Sequence, residues 1–315
     1  MLKKISIIFI LIFLVACSGE VSETNTTNQK LQVFTTIYPL AYFTEVIGDQ
    51  YVDVSSILPA GSDPHNFEPT SKTMVDIAEA DLFVFNGAEL EVFAGKISSS
   101  LSNTDVTILE AADGIELGEA HSEEEHHDHS EDEEGHEGHN YGDIDPHIWL
   151  DPQYAVEMAE NIKEALVTLQ PEQENDFEDN YQALKERLLS LDEQFQEQLS
   201  QTKRKEIVVT HAAYGYWEER YGLEQIAITG ISPSDEPSQK KLEEIIEFVK
   251  ENAIEYILFE QNIRPKVAEV IQKEAGVDVL SLHNLSVLTE EDIEQKEDYF
   301  SLMEKNLVVL KKALN

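Results

Sequence analysis

The run PEQENDFEDNYQALKERLLSLDEQFQEQLS, residues 171–200, decides how the rest of the chain is read. Phe177, Tyr181, Leu184, Leu188, Leu191 and Phe195 recur every three to four residues, the period of an amphipathic helix. Pro171 suits a first helical turn, and no Gly or Pro interrupts the run beyond it, so the spacing predicts a stiff rod. Thirty residues at ~1.5 Å each would span about 45 Å, enough to pass from one lobe to another.

On either side of this rod, strand-like and helix-like patterns alternate. Before it, strands are expected at Leu31–Ile37, Val52–Leu58, Asp81–Phe85 and Val106–Leu109, and helices at Pro39–Ile47, Ser71–Ala80, Glu89–Ser98 and Tyr154–Leu169. After it, strands are expected at Glu206–Thr210, Gln225–Thr229, Tyr256–Phe259 and Val277–Leu280. The helices there are Ala212–Tyr221, Glu236–Glu251, with Ser234 and Asp235 as capping candidates, Pro265–Ala275 and Tyr299–Leu314. Alternation of this kind implies βαβ units. The expected class is α/β: two (β/α) lobes with mostly parallel sheets, residues 31–170 and 203–315, joined by a long rigid linking helix at 171–202.

The N-terminal end has a different character. Met1-Leu2-Lys3-Lys4 leads into the apolar run Ile5–Ala16, too short to span a bilayer and typical of an export signal (residues 1–16). The sequence Leu14-Val15-Ala16-Cys17-Ser18-Gly19 resembles a bacterial lipoprotein processing site, which implies cleavage before Cys17 and a lipid on it. Polar residues 17–30 then read as a tether. Cys17 is the only cysteine, so no internal disulfide can form and packing must supply the stability.

Charge narrows the partners. Lys plus Arg number 22 against 63 Asp plus Glu, a formal net charge of −41, with no basic stripe to attract nucleic acid. Cationic partners are favoured. The acidity culminates in a tract at residues 119–143, where His121, His126, His127, His129, His136 and His139 are interspersed with nine carboxylates and no Lys or Arg between His121 and His139. Such a composition cannot bury a core and reads as a metal-collecting loop.

Four of the ten histidines lie outside that tract: His65, His147, His211 and His283. His65 follows the second expected strand through a Gly/Pro turn, His147 sits in a Pro-bounded segment, and His211 ends the strand Glu206–Thr210. In open α/β sheets ligands gather at the carboxyl ends of strands, so these three would converge between the lobes. Three neutral imidazoles suit Zn2+, whereas calcium and magnesium demand oxygen. Copper and nickel compete on affinity alone. Asp63, Asp145 and Asp151 are available to orient the rings. Taken singly, each histidine also has a structural reading as a turn, cap or hydrogen-bonded residue; the acidic His-rich neighbour tips the set toward metal.

Four stretches carry a resemblance: Gly61-Ser62-Asp63-Pro64-His65-Asn66-Phe67-Glu68-Pro69, Asp145-Pro146-His147-Ile148-Trp149-Leu150-Asp151-Pro152, Thr210-His211-Ala212-Ala213-Tyr214-Gly215-Tyr216-Trp217, and Gly230-Ile231-Ser232-Pro233 through Glu236-Pro237-Ser238. In these the chain resembles the cluster A-I metal-binding lipoproteins, solute-binding components of bacterial zinc and manganese ABC importers. The resemblance implies two lobes on a rigid helix, ligands His65, His147 and His211, an ABC permease as partner, anchoring by lipid outside the cytoplasm, and a monomer. Zinc members have His at the third ligand position, where manganese members usually have Glu, and tend to carry a His-rich acidic loop. Both features are present here. The family commonly places a carboxylate where this chain has Ser286, so a water held by Ser286 is expected at the fourth position; His283, Glu68 and Glu260 are further candidates.

Other functions fit parts of this pattern. Manganese or iron transport, or an adhesin role, is the first alternative, and His211 speaks against manganese, which prefers carboxylate oxygen. Three histidines and a water also make the shell of a zinc hydrolase. The chain has no His-Glu-x-x-His and no general base placed by motif, so the expectation is a binding protein and not an enzyme.

Overall fold

The computed structural model describes residues 30–101, 104–117, 144–262 and 266–315. The expected signal segment, Cys17, the tether up to residue 29 and the histidine-rich tract with its six histidines lie outside the described residues. Among the described residues no helix is long and apolar enough to cross a membrane.

Two four-stranded parallel sheets form the frame. The first comprises β1 (Leu31–Thr35), β2 (Val52–Ser56), β3 (Leu82–Phe85) and β4 (Thr107–Glu110), in the order β2-β1-β3-β4. The second comprises β5 (Glu206–Val209), β6 (Glu224–Ala227), β7 (Tyr256–Phe259) and β8 (Asp278–Ser281), in the order β6-β5-β7-β8. The two lobes therefore share one topology, which no repeat in the sequence announces. Both faces of each sheet are covered, as parallel sheets require. In β3, Leu82 and Val84 face one core while Phe83 and Phe85 face another; in β7, Leu258 points to the shared core and Ile257 and Phe259 to an outer one.

The helices before the rod are α1 (Tyr38–Gly48), α2 (Ser71–Ala78), α3 (Ala94–Ser100) and α4 (Pro152–Leu169); the rod is α5 (Glu174–Ser200). After it come α6 (Gly215–Tyr221), α7 (Gln239–Glu251), α8 (Lys266–Ala275), α9 (Glu290–Gln295) and α10 (Tyr299–Ala313). All six apolar residues picked out in the rod are buried, together with Leu199. They belong to one core that also takes in Leu40 and Phe43 of α1, Met158 and Ile162 of α4, Trp217 of α6 and Met303 of α10. Polar ties pin α5 at both ends. Tyr51 Oη donates to Asp176 (2.6 Å) and Asn180 Nδ2 to the Ile47 carbonyl (3.0 Å), while Tyr221 Oη donates to Asp192 (2.9 Å) and Lys311 Nζ to Gln198 (2.8 Å).

Several boundaries differ from expectation for local reasons. Pro171–Gln173 form a separate 3-10 turn, so the rod begins at Glu174. Helix α3 starts at Ala94 and not at Glu89, because Gly87, Ala88 and Glu89 all have positive φ (83°, 48° and 63°). The Glu91 carboxylate stabilises that turn by accepting from the Asn86 and Gly87 amides (2.9 and 3.1 Å). Helix α7 is capped by Ser238, whose hydroxyl accepts from the Lys241 amide, and Asp235 instead accepts from Ser232. Helix α6 starts at Gly215, leaving 211–214 as the turn that carries His211. The short helix α9, which the periodicity does not reveal, is set by a capping box of Thr289 and Asp292.

Candidate metal centre

Two of the three histidines come from the carboxyl-terminal side of a strand. After β2, Asp63 caps the 3-10 turn Pro64–Asn66 by accepting from the His65 amide (3.0 Å), which turns a 5% exposed imidazole inward. After β5, the turn at 210–214 buries His211. His147 lies in the strand-free segment 145–151 that leads into α4.

That segment is gripped from both lobes. Tyr216 Oη donates to the Asp145 carbonyl (2.6 Å), Tyr299 Oη to that of Trp149 (2.7 Å) and Trp217 Nε1 to that of Leu150 (2.8 Å). From the other side, Asn86 Nδ2 donates to the Pro146 carbonyl (3.0 Å). Trp149 Nε1 in turn donates to the Asn284 carbonyl (2.7 Å). Buried carbonyls must find donors, and here the aromatic side chains supply them while fixing the path of the backbone beside His147.

The three histidines meet. Their ligating nitrogens all lie within 4.8 Å of one another, with His65 Nε2 and His211 Nε2 at 3.3 and 3.2 Å from His147 Nε2. Nitrogens ~2.0–2.1 Å from a tetrahedral zinc are about 3.3–3.4 Å apart, so both distances match the edge of a zinc tetrahedron. Protonation makes the same point. The Asp145 carboxylate accepts from His147 Nδ1 (2.7 Å), and Glu260 sits against His211 Nδ1. A neutral imidazole with its proton on Nδ1 offers a lone pair at Nε2. With that tautomer on both rings, the Nε2 lone pairs of His147 and His211 would face each other, an arrangement that a cation relieves. Burial first, then the neighbouring His147 and His211, hold the pKa of His65 well below its ordinary value of 6.5, so this ring is neutral near pH 7. The donor set thus fits a borderline-soft divalent ion. Among the described residues this is the one such cluster, and it contains no carboxylate.

A family model described as the zinc-uptake complex component A, periplasmic (ZnuA), matches residues 33–313. The chain belongs to the ZnuA family. Zinc-binding lipoprotein AdcA of Streptococcus pneumoniae is 40% identical over 316 residues, which cover 99% of this chain and 61% of that protein. The chain therefore spans less than two thirds of that relative's length. The high-affinity zinc uptake system protein ZnuA of Bacillus subtilis is 34% identical over 320 residues, covering 100% of this chain and 99% of that protein. Among solved structures, the Zn(II)-bound ZnuA-like domain of Streptococcus pneumoniae AdcA matches with a TM-score of 0.75 at 37% identity, covering 90% of this chain and 99% of that one.

Within this ZnuA-family fold the remaining candidates separate. Ser286 and Asn284 line the cavity with the three histidines and Trp149. His283 does not join them: its Nε2 meets Asp292 (3.1 Å), its Nδ1 accepts from the Leu285 amide (2.9 Å), and Asn306 bonds its backbone on both sides (2.8 and 2.7 Å). It is a structural residue. Glu68 is exposed and outside the cluster. Of the three aspartates expected to orient rings, only Asp145 contacts one. Asp63 accepts from a backbone amide, and Asp151 caps α4 and pairs with Arg220 Nε (2.7 Å). The orienting partner of His211 is Glu260, which the sequence offers only as a possible fourth ligand.

Proposed function

We infer that this chain captures Zn2+ outside the cytoplasm and delivers it to the permease of an ABC importer, with His65, His147 and His211 as the ligands. The observation that carries the reading is the convergence of three buried imidazoles, with His211 Nε2 and His65 Nε2 standing 3.2 and 3.3 Å from His147 Nε2 and with Nδ1 of His147 and His211 held against carboxylates. Zinc is cargo here, and membership of a zinc-uptake family supports capture and transport rather than turnover. Manganese, which favours oxygen, is a poor match to a cluster of three nitrogens.

The finer features belong to the same proposal. Lipid on Cys17 tethers a monomer to the outer side of the cell membrane, and the six histidines of residues 119–143 collect additional zinc at weaker sites. Isothermal titration of the metal-stripped full chain tests the ligand set. The expected result is one tight zinc site that His147→Ala or His211→Ala strongly weakens. Unchanged affinity in both variants would sink the assignment.

A further inference from the structure

Glu260, one residue past β7, is a carboxylate only 2% exposed. Its Oε1 lies against His211 Nδ1 and accepts from Thr210 Oγ1 (3.3 Å). Its Oε2 accepts from Asn284 Nδ2 (2.7 Å). Three donors and no Lys or Arg therefore surround it in these contacts. That bond settles which way the Asn284 amide faces. Its Oδ1 accepts from the Ser286 amide (3.1 Å), from Ser286 Oγ (2.9 Å) and from Gln261 Nε2 (2.9 Å). The hydroxyl proton of Ser286 is thus engaged by Asn284, which leaves the oxygen lone pairs of Ser286 for the cavity that it lines with the histidines.

We propose that Glu260 is a positioning residue that sets two corners of the tetrahedron at once. It fixes the Nδ1–H tautomer of His211 directly, so that Nε2 presents a lone pair. Through Asn284 it also fixes Ser286 as a hydrogen-bond acceptor, which orients the exchangeable water or small ligand at the fourth corner and does not itself ligate. The inference rests on the zinc reading of the site and adds how its charge is balanced: Asp145 and Glu260 each stand one imidazole away from the ion, so two positive charges are offset without an oxygen anion in contact with it. A site so arranged favours nitrogen-preferring ions over those that need carboxylate oxygen.

The test uses the metal-stripped full chain, with Zn2+ competition for affinity, Co2+ absorption as a reporter of coordination, and imidazole 15N shifts as a reporter of the tautomer. Glu260→Gln replaces one acceptor with an NH2 donor, so His211 Nδ1, Asn284 Nδ2 and Thr210 can no longer all be satisfied. A loss of roughly 10- to 100-fold in zinc affinity is expected, with a displaced His211 Nε2 resonance. Asn284→Ala cuts only the arm to Ser286. It is expected to change the Co2+ band intensity and the affinity for added azide while the His211 resonance stays in place, and it keeps the idea open to refutation should Glu260→Gln fail to fold. If the parent binds zinc through its histidines but neither variant alters affinity, spectrum or resonance, the relay is wrong and the zinc reading stands. If the parent itself binds no zinc, the zinc reading fails and the relay falls with it.

Discussion

Glu91 offers a stability test at a carboxylate linked by hydrogen bonds, through Asn86, to the segment that carries His147. Its carboxylate is buried and accepts from Thr36 Oγ1 (2.5 Å) and from the Asn86 and Gly87 amides. Asn86 Nδ2 then holds the Pro146 carbonyl, next to His147. Burial pushes the Glu91 pKa up from 4.5 to about 7, the three hydrogen bonds offsetting part of the effect. A raised carboxyl pKa means that the folded state holds a proton which the unfolded chain releases. The contribution is fully present below pH 4.5 and is lost as pH rises through about 7. Integrated from about pH 5.5 to 8, the loss is about 2 kcal/mol; the lower limit keeps clear of the sequence pI of about 4.3. Other carboxylates titrate too, so the observable is the difference between the parent and Glu91→Gln. The amide keeps one acceptor but sets an NH2 against the Gly87 amide, so the variant starts about 1–3 kcal/mol less stable. Its deficit should then shrink by about 2 kcal/mol toward pH 8. Urea unfolding of the metal-free proteins, followed by the fluorescence of buried Trp149 and Trp217, measures it. Parallel stability curves would refute the reasoning.

Two further outcomes are expected. His283→Ala should leave one tight zinc site in calorimetry but lower stability by about 1–3 kcal/mol in urea, because Asp292 and the Leu285 amide lose a buried partner. Burial raises the Asp292 pKa, but bonds from His283 and Thr289 outweigh it and hold the carboxyl well below its usual range, so the stability that Asp292 contributes is fully present above pH 3.8 and is lost as pH falls through its lowered pKa. A loss of zinc stoichiometry instead would make His283 a ligand. Deleting residues 119–140 should retain the tight site while removing weaker zinc equivalents in the same titration; disappearance of all binding would move the principal ligands into that tract.

Much of the frame was legible because it rests on periodicity. The six apolar residues of α5 mark a buried face, and the alternation on either side implies two parallel sheets. The three ligand candidates were legible because His65 and His211 follow strands and His147 stands alone in a Pro-bounded segment. What escaped was contact between distant segments. Glu260 and His211 are far apart in sequence and become neighbours because β5 and β7 pair in parallel, bringing their carboxyl ends together. Asp145 and Asp151 look alike beside prolines, yet one orients an imidazole and the other caps a helix against Arg220. The turn at Gly87–Glu89 was hidden for a similar reason. Ala and Glu favour helix, whereas the buried Glu91 carboxylate, bonded to Thr36 across the lobe, takes the amides that open the turn.

On the proposed function, these contacts also restrict how the ion can be released. All three imidazoles are buried, so an ion cannot leave without some part of the wall moving. A broad hinge is opposed by α5, which is uninterrupted and shares its core with both lobes. Besides the bonds that grip residues 145–151, the seam between lobes is crossed by the Tyr38 amide to the Ser286 carbonyl (2.8 Å), the Gly61 amide to that of Leu288 (3.1 Å), and Asn262 Nδ2 to that of Ser62 (3.1 Å). Two of these flank the turn carrying His65, and the first holds the segment carrying Ser286. His147, by contrast, is held by donors from both lobes, and His211 by Glu260 within its own. Freeing the His65 turn breaks the Gly61 and Asn262 bonds, about 1 kcal/mol each, whereas moving the Ser286 segment also breaks the bonds of Asn284 to Trp149 and Glu260. If the chain carries zinc as proposed, shifting the His65 turn, with His147 and His211 left as a standing pair, therefore breaks fewer of these bonds than moving the Ser286 segment does.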